Sequence, residues 1–253
     1  MVTRKSRREI EQMRVAGRIV AEVLALVESE LKPGISTAHL DRLAERHIRS
    51  SGAVPSFKGY GHRSNPFPAS LCISIDDEVV HGIPAERTIR EGQIVSVDAG
   101  AIFNGWHGDG ARTFVMGEPT PVVRELVDTT HLAMMAGIAA AVPGGFLGDI
   151  SAAIEDVAGP GGYGVVKQFV GHGIGTEMHQ EPQVPNYRTG VRGMKLAPGI
   201  CLAIEPMLTL GSGDVEVLDD GWTVATRDGS LAAHFEHTIA VTENGPEILT
   251  TLR

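Results

Sequence analysis

Residues 92–98 read Gly-Gln-Ile-Val-Ser-Val-Asp, and residues 199–205 read Gly-Ile-Cys-Leu-Ala-Ile-Glu. Each stretch begins with a glycine, continues as an apolar β-strand and places a carboxylate six positions after the glycine. A carboxylate at the end of a buried strand is unfavourable unless it is paired or bound to a cation. The two stretches therefore predict a sheet in which the acidic strand ends, Asp98 and Glu205, meet at a site that compensates negative charge.

The surroundings of these two strands also repeat. A long helix predicted over about Arg7–Leu31 stops at a Pro-Gly pair, and a second one over Val122–Val142 stops in the same way. Each is followed by a shorter amphipathic helix. We therefore expect one domain made of two pseudo-symmetric halves, about 1–115 and 116–253. Hairpin-like strand spacing favours an α+β fold with an antiparallel sheet over a doubly wound one.

Composition limits the class of protein. The chain has 253 residues, 42% hydrophobic and 21% charged, which is ordinary for a soluble globular protein. Its formal charge of -9 argues against nucleic acid as the main partner. Two cysteines in apolar segments, Cys72 and Cys201, indicate buried, reduced thiols. With no signal peptide and no apolar run of membrane-spanning length, we expect a cytoplasmic location.

Three further short motifs contribute ligand-type side chains: Asp109 in HGDGA, His172 in GHGIG and Glu236 in HFEHT. With Asp98 and Glu205 they make four carboxylates and one imidazole, a set that suits two divalent cations side by side. Without cations, carboxylates about 4–5 Å apart would repel by several kcal/mol per pair. The alternative is separate carboxylates, each paired with Lys or Arg. It is disfavoured because the chain has only 22 basic residues and few lie near these motifs. Hard donors favour Mn, Fe or Co, with Zn as a further candidate.

Two more histidines stand in unusual contexts. His179 follows His172 in GHGIGTEMHQEP, where three glycines make a helix unfavourable, so a turn-rich segment is expected to present both imidazoles to a cleft. His81 follows a short apolar strand in VVHGIP. For a lone histidine, a satisfied core position is the default; the neighbouring glycines favour a functional role here.

These motifs carry a resemblance to a known family. VVHGIP (79–84), GWHGDGARTF (105–114), GHGIGTEMHQEPQVPNY (171–187), LAIEPM (202–207) and HFEHT (234–238) follow one another in this order. Together they closely resemble the type I methionine aminopeptidases of the bacterial cytosolic kind, over essentially the whole chain. The resemblance implies the pita-bread (creatinase/aminopeptidase-like) fold, a pseudo-twofold antiparallel sheet covered by helices.

The resemblance also implies roles for the residues. Asp98 would chelate one metal, Asp109 and Glu236 would bridge both, and His172 and Glu205 would complete the second. The implied reaction is release of the initiator methionine from nascent proteins and peptides, preferentially before a small second residue. In that reaction we expect Glu205 to accept a proton from the attacking water. His179 would donate to the scissile carbonyl oxygen, and His81 would contact the substrate near the scissile nitrogen.

By the same resemblance, the pocket for the methionine side chain matches Tyr60, Cys72, Met178 and Trp222, and Phe67 takes a wall position. Apolar and sulfur-containing side chains suit a flexible thioether; the alternative is that these are ordinary core residues. The stretch between Tyr60 and Cys72 is longer than the resemblance implies.

The expected partners are peptide and nascent-protein N-termini, with no membrane and no direct nucleic-acid specificity. We expect a monomer of the short form, without a ribosome-docking extension. The basic cluster Arg4, Lys5, Arg7 and Arg8 is either a solvated helix start or a transient ribosome contact. Two rival functions share the fold: an aminopeptidase or dipeptidase for X-Pro bonds, and a catalytically inactive relative that binds peptides or other proteins.

Overall fold

The computed structural model describes residues 2–252, which form four α-helices and fifteen strands. The helices are α1 (Arg7–Glu30), α2 (Thr37–Ser50), α3 (Pro121–Ala140) and α4 (Leu147–Ala158), and a short 3-10 turn follows at Gly159–Gly161. The strands of the first half are β1 (Val54–Pro55), β2 (Leu71–Ile75), β3 (Glu78–Val80), β4 (Ile94–Phe103) and β5 (Trp106–Val115). Those of the second half are β6 (Gly164–Val165), β7 (Gly171–Gly173), β8 (Gln180–Val184), β9 (Cys201–Ile204), β10 (Met207–Thr209), β11 (Val215–Val217), β12 (Val224–Thr226), β13 (Ala232–His234), β14 (Glu236–Thr242) and β15 (Gly245–Ile248).

One nine-stranded sheet organises the molecule. Its strand order is β1-β4-β5-β14-β9-β7-β8, with β2 paired to β4 and β15 paired to β14. Two three-stranded sheets, β13-β10-β6 and β11-β12-β3, stand beside it. Every strand pairing in residues 2–252 is antiparallel. The predicted α+β class with an antiparallel sheet is therefore confirmed.

The two long predicted helices are confirmed to within two residues at each end. α1 begins with a capping box: the Ser6 hydroxyl accepts the Glu9 amide, and the Glu9 carboxylate accepts the Ser6 amide. α3 begins at Pro121, whose missing N–H is harmless in the first turn. Both helices end just before the Pro-Gly pairs that the sequence analysis identified.

Each helix pair covers part of the sheet. α1 and α2 pack on β2 and β4 through a buried cluster that includes Leu24, Leu40 and Ile73. α3 and α4 pack on β9 and β14 through a second cluster that includes Met134 and Ile154. These two apolar layers leave the opposite face of the central strands for other chemistry. The division into halves at about residue 115 stays a prediction.

Asp98, which was predicted at a strand end, lies inside a strand instead, and so does Asp109. β4 continues for five residues beyond Asp98, and β5 starts three residues before Asp109. The reason is the tight turn at Asn104-Gly105, where both residues have positive φ, which joins the strands as a two-residue hairpin. Asp98 and Asp109 therefore lie in the middle of a hairpin of two ten-residue strands, which pair along their full length.

Strand alternation places the acidic side chains on the face away from the helices. Val97 and Ala99 pack under α1 and α2, so Asp98, between them, points to the other face. Likewise Leu202 and Ile204 pack under α3 and α4, so Glu205 points away from these helices. In residues 2–252, none of the helices is both long and apolar enough to cross a membrane.

Candidate metal centre and active site

One cavity on the helix-free face collects every site residue predicted from the sequence. It encloses about 520 Å³ of empty space, open solvent at its mouth included. Its lining consists of Phe57, Tyr60, Phe67, Cys72, His81, Asp98, Asp109, His172, Met178, His179, Glu205, Trp222 and Glu236. Twelve of these thirteen residues were predicted, and Phe57 is the addition.

The register of five neighbouring strands brings the ligand-type side chains together. Asp98 on β4 and Glu236 on β14 both lie opposite Ala111 of β5, so the two carboxylates flank Asp109 on one face. His172 on β7 lies opposite Ala203 of β9, two residues before Glu205. These residues are far apart in sequence, and the antiparallel pairing alone makes them neighbours.

Distances show how tight the cluster is. Ligand atoms of Asp109, His172 and Glu236 all lie within 4.8 Å of one another. His172 Nε2 is 3.4 Å from Glu205 Oε1. On β5 and β14, the Thr238 hydroxyl accepts the Asp109 amide at 3.0 Å and donates to the Asp109 carbonyl at 2.8 Å. That pair of hydrogen bonds fixes the backbone beneath the carboxylates.

The electrostatics of this cluster fit bound cations. Asp98 Oδ1, Asp109 Oδ1 and Glu236 Oε1 are buried and have no hydrogen-bond partner within residues 2–252. Burial raises the pKa of Asp98 to about 7. Burial, and then the charge of Asp98, raises the pKa of Asp109 well above its usual range. Because buried carboxylates need compensating charge, the arrangement suits divalent cations with oxygen donors.

The hydrogen bonding and the protonation state of His172 suit a metal ligand. Its Nδ1 lies 3.0 Å from the carbonyl oxygen of Gly173, so Nδ1–H donates there and the lone pair of Nε2 faces the carboxylates. Burial, and then the neighbouring His179, lowers the pKa of His172 to about 3. The imidazole is therefore neutral at physiological pH, as metal binding requires.

His179 and His81 stand beside this cluster. The ring centroids of His172 and His179 are 4.3 Å apart, and the Tyr60 hydroxyl lies 2.6 Å from His179 Nδ1. His81 has a φ of 60°, an uncommon conformation for a non-glycine residue and one often found at functional sites. Burial, and then His179, lowers the pKa of His81 to about 4, so this imidazole is neutral as well.

An apolar compartment adjoins the carboxylates in the same cavity. Phe57, Phe67, Cys72 and Met178 are buried against one another, with the half-buried Trp222 packed on them. The Phe67 and Trp222 rings meet edge-on, with centroids 5.2 Å apart. Burial raises the pKa of the Cys72 thiol far above its usual range, so Cys72 acts as an apolar wall rather than as a nucleophile.

Residues 11–243 match the profile of metallopeptidase family M24. A methionine aminopeptidase of Clostridium acetobutylicum is 52% identical over 251 residues and is matched over 99% of both chains. Methionine aminopeptidase 1 of Bacillus subtilis is 46% identical over 250 residues, again over 99% of both.

The chain belongs to metallopeptidase family M24. Among solved structures, the methionine aminopeptidase of Thermotoga maritima superposes on this M24 chain with a TM-score of 0.96 at 42% identity, covering 99% of this chain and 100% of that one. The prolidase of Pyrococcus furiosus gives a TM-score of 0.79 at 23% identity, and the match spans 66% of its length, which shows a shared fold alone. The predicted pita-bread fold is confirmed, and the chain groups with the methionine aminopeptidases.

Three residues around the site of this M24 chain were missed. Buried His234 has its Nε2 3.8 Å from Glu205 Oε2, and Asn186 donates from Nδ2 to the Glu205 carbonyl at 3.1 Å. His234 stands two residues before Glu236 in HFEHT, and strand alternation could have found it. Asn186 and the pocket-wall residue Phe57 carry no local sequence signal, because only tertiary contacts with residues far away in sequence bring them to the site.

Proposed function

We propose that this M24 chain removes the N-terminal methionine from peptides and nascent proteins, acting as an aminopeptidase with two divalent metal ions. The observation that carries the proposal is the continuity of one cavity, in which an apolar, sulfur-lined compartment opens directly on four carboxylates and His172. Such a cavity accepts a thioether at one end and a positively charged α-amine and scissile carbonyl at the other.

Five residues of this chain would hold the metal ions. Asp98, Asp109, His172, Glu205 and Glu236 supply a hard donor set that suits Mn, Fe, Co or Zn. When bound, divalent cations lower the pKa of water and polarise the scissile carbonyl.

Glu205 is the proposed proton acceptor for the attacking water. Burial, and then the charge of Asp98, raises its pKa well above that of an ordinary glutamate, which suits a carboxylate that must take up a proton. His234 Nε2 lies beside the Glu205 carboxylate, and Asn186 donates to the Glu205 backbone carbonyl. These two contacts support the position of Glu205.

His179 and His81 are the proposed substrate contacts. With Nδ1 of His179 occupied by the Tyr60 hydroxyl, Nε2–H is free to donate to the carbonyl oxygen as negative charge develops there. His81 also lines the cavity, with its ring edge-on to the Trp222 ring and the two centroids 6.3 Å apart. We assign it to the side of the leaving amine.

The cellular role in the proposal is removal of the initiator methionine in the cytoplasm by a monomeric enzyme, with a preference for a small second residue. The substrate preference and the monomeric state rest on the family resemblance. Two buried free thiols, Cys72 and Cys201, are consistent with a reducing compartment.

The transient ribosome contact is supported less well by the basic N-terminus than its sequence suggested. Lys5 is only 8% exposed, and its ammonium group donates to Gln180 Oε1, so it does not belong to an open basic surface. Arg4, Arg7 and Arg8 are exposed. If they contact ribosomes, Arg7→Ala with Arg8→Ala weakens co-sedimentation; unchanged co-sedimentation removes this part of the proposal.

The test of the proposal is release of methionine from Met-Ala-Ser by protein treated with a chelator and then supplied with Mn, Fe, Co or Zn one at a time. Release should depend on added metal, exceed release from Ala-Pro-type peptides, and fall by about 100-fold or more in Glu205→Gln. No release with any metal favours the peptide-binding relative, and faster cleavage of X-Pro peptides favours the prolidase reading.

A further inference from the structure

A loop at the cavity mouth is built onto the wall of the apolar compartment. Its residues 61–66, here named the pocket loop, are all exposed. Its base is closed by two backbone hydrogen bonds, from Phe67 N to Tyr60 O at 2.9 Å and from Gly59 N to Phe67 O at 2.8 Å. Two cavity-lining residues, Tyr60 and Phe67, therefore flank the pocket loop directly.

Asn65 connects the pocket loop to the turn that carries Trp222. The Trp222 indole donates from Nε1 to the Asn65 carbonyl at 3.1 Å. In return, Asn65 donates from Nδ2 to the Asp220 carbonyl at 3.2 Å. The Asp220 carboxylate accepts the amides of Trp222 and Thr223, both at 2.8 Å. The backbone carbonyl of Asn65 thus binds the indole, and its side chain binds the turn on which the indole stands.

Gly61 brings the loop backbone against the same indole. Its φ is +94°, and a Cβ added there would lie 2.5 Å from Trp222 Cη2. The Phe67 ring contacts the indole edge-on. The indole is therefore confined by the loop backbone, by Phe67 and by the Asn65 carbonyl.

We propose that Asn65 is a positioning residue that sets side-chain specificity, because it holds Trp222 as a fixed wall of the substrate pocket. The inference rests on the proposed function and names a residue that contributes to the substrate specificity of that function. A half-buried indole on a turn has other rotamers available, and each would change the shape of the compartment. A fixed wall discriminates an unbranched side chain such as methionine from a branched one of similar size such as leucine.

The first test compares Asn65→Ala with Ser64→Ala. The Ser64 hydroxyl bonds to His62 within the same loop, so its loss does not touch the indole. Asn65→Ala removes the side-chain bond to the Asp220 carbonyl and keeps the backbone carbonyl that accepts the indole N–H, so it frees the turn that carries Trp222. For this variant we expect the KM for Met-Ala-Ser to rise by about 2- to 10-fold, the range for one neutral hydrogen bond, with kcat within twofold of wild type. The ratio of kcat/KM for Met-Ala-Ser over Leu-Ala-Ser should fall. Ser64→Ala should change neither quantity.

The second test compares Gly61→Ala with Gly59→Ala. Both glycines have a positive φ, 94° and 88°, so both substitutions strain the backbone alike. A Cβ at Gly59 meets nothing within 4 Å, whereas one at Gly61 meets the indole. Only Gly61→Ala should lower the preference for methionine over leucine.

Indole fluorescence provides a readout that is independent of turnover. In a Trp106→Phe background Trp222 is the one emitting tryptophan. Asn65→Ala and Gly61→Ala should shift its emission, and the two control variants should not. If Asn65→Ala matches Ser64→Ala in KM, in selectivity and in emission while wild type releases methionine, the inference is overturned. If wild type releases no methionine, the proposed function fails, and emission alone decides whether Asn65 positions the indole.

Discussion

The hydrogen bond between Tyr60 and His179 determines which histidine nitrogen faces the substrate. Burial, and then the charge of Asp109, raises the pKa of Tyr60 above its ordinary value, so the phenol stays protonated and donates at neutral pH. We assign the phenol as the donor and His179 Nδ1 as the acceptor, which leaves the proton on Nε2. The proposed role of His179 as a donor to the carbonyl oxygen therefore depends on Tyr60, a residue that the sequence had assigned only to the methionine pocket.

Removing that hydroxyl tests the tautomer argument. We expect Tyr60→Phe to lower kcat for Met-Ala-Ser by about 10-fold. This loss is smaller than the cost of about 100-fold or more for removing a direct donor, as in His179→Ala, because His179 itself remains in the variant. Tyr163→Phe, away from the cavity, is the matched control and should leave kcat unchanged. An unchanged kcat in Tyr60→Phe would show that the phenol does not orient His179.

At the residue scale, the sequence predicted the side chains that chemistry requires and missed those that hold them. Asp98 and Glu205 were visible because a carboxylate at an apolar strand demands a partner. Asn65 was not visible, because its role comes from a contact across 155 residues, between its side-chain amide and the Asp220 carbonyl. A single exposed asparagine in a polar loop carries no local sign of such a contact.

Helix α1 lies unusually close to the strands beneath it. Gly17 stands on the buried face of α1, where a glycine weakens a helix without an evident reason. The structure supplies the reason: a Cβ at Gly17 would lie 2.4 Å from the Leu249 carbonyl oxygen, and one at Gly108 would lie 2.6 Å from the Gly17 amide nitrogen. Gly108 therefore lets strand β5 approach the backbone of helix α1, and Gly17 lets helix α1 approach the backbone just after strand β15.

We expect Gly17→Ala to destabilise the protein although alanine is the better helix former. Overpacking at a backbone contact costs about 1–3 kcal/mol, which exceeds the gain in helix propensity of about 1 kcal/mol. Urea unfolding should show the lower free energy of unfolding. Arg18→Ala, on the exposed side of the same turn, should change it by no more than about 0.5 kcal/mol. A stabilised Gly17→Ala variant would contradict the close contact.

At the element scale, helix periodicity and Pro-Gly stops predicted α1 and α3 well. The strands were predicted less well, because an apolar run marks burial but not where pairing ends. Asn104-Gly105 is a strong hairpin signal, and weighing it would have extended β4 and β5 beyond Asp98 and Asp109. The two small sheets could not be foreseen, since strands of three residues have too little periodicity.

On the scale of the whole molecule, the two faces of the central sheet have different roles. One face buries the apolar clusters under the two helix pairs, and the other gathers buried carboxylates that repel one another. The same strands therefore gain stability on one face and lose it on the other. Bound cations would recover that loss, which links metal binding to folding.

Chelation should lower the thermal stability of the protein. At a metal concentration about 100-fold above Kd, binding contributes about 2.7 kcal/mol, which for a chain of this size raises Tm by roughly 5–10 °C. Scanning calorimetry with and without chelator measures the difference. Asp109→Asn should lose this response, while Asp219→Asn, at an exposed carboxylate, should keep it. Equal Tm values with and without metal would break the link.

The central claim is that Asp98, Asp109, His172, Glu205 and Glu236 hold metal ions on one face of the sheet. Anomalous diffraction from crystals soaked in Mn²⁺, recorded on both sides of the manganese edge, tests it most directly. We predict strong anomalous peaks among these five side chains, coordinated by Asp109 and Glu236 oxygens and by His172 Nε2. Fully soaked crystals with no peak in this cavity, or with peaks only elsewhere on the protein, would contradict the claim.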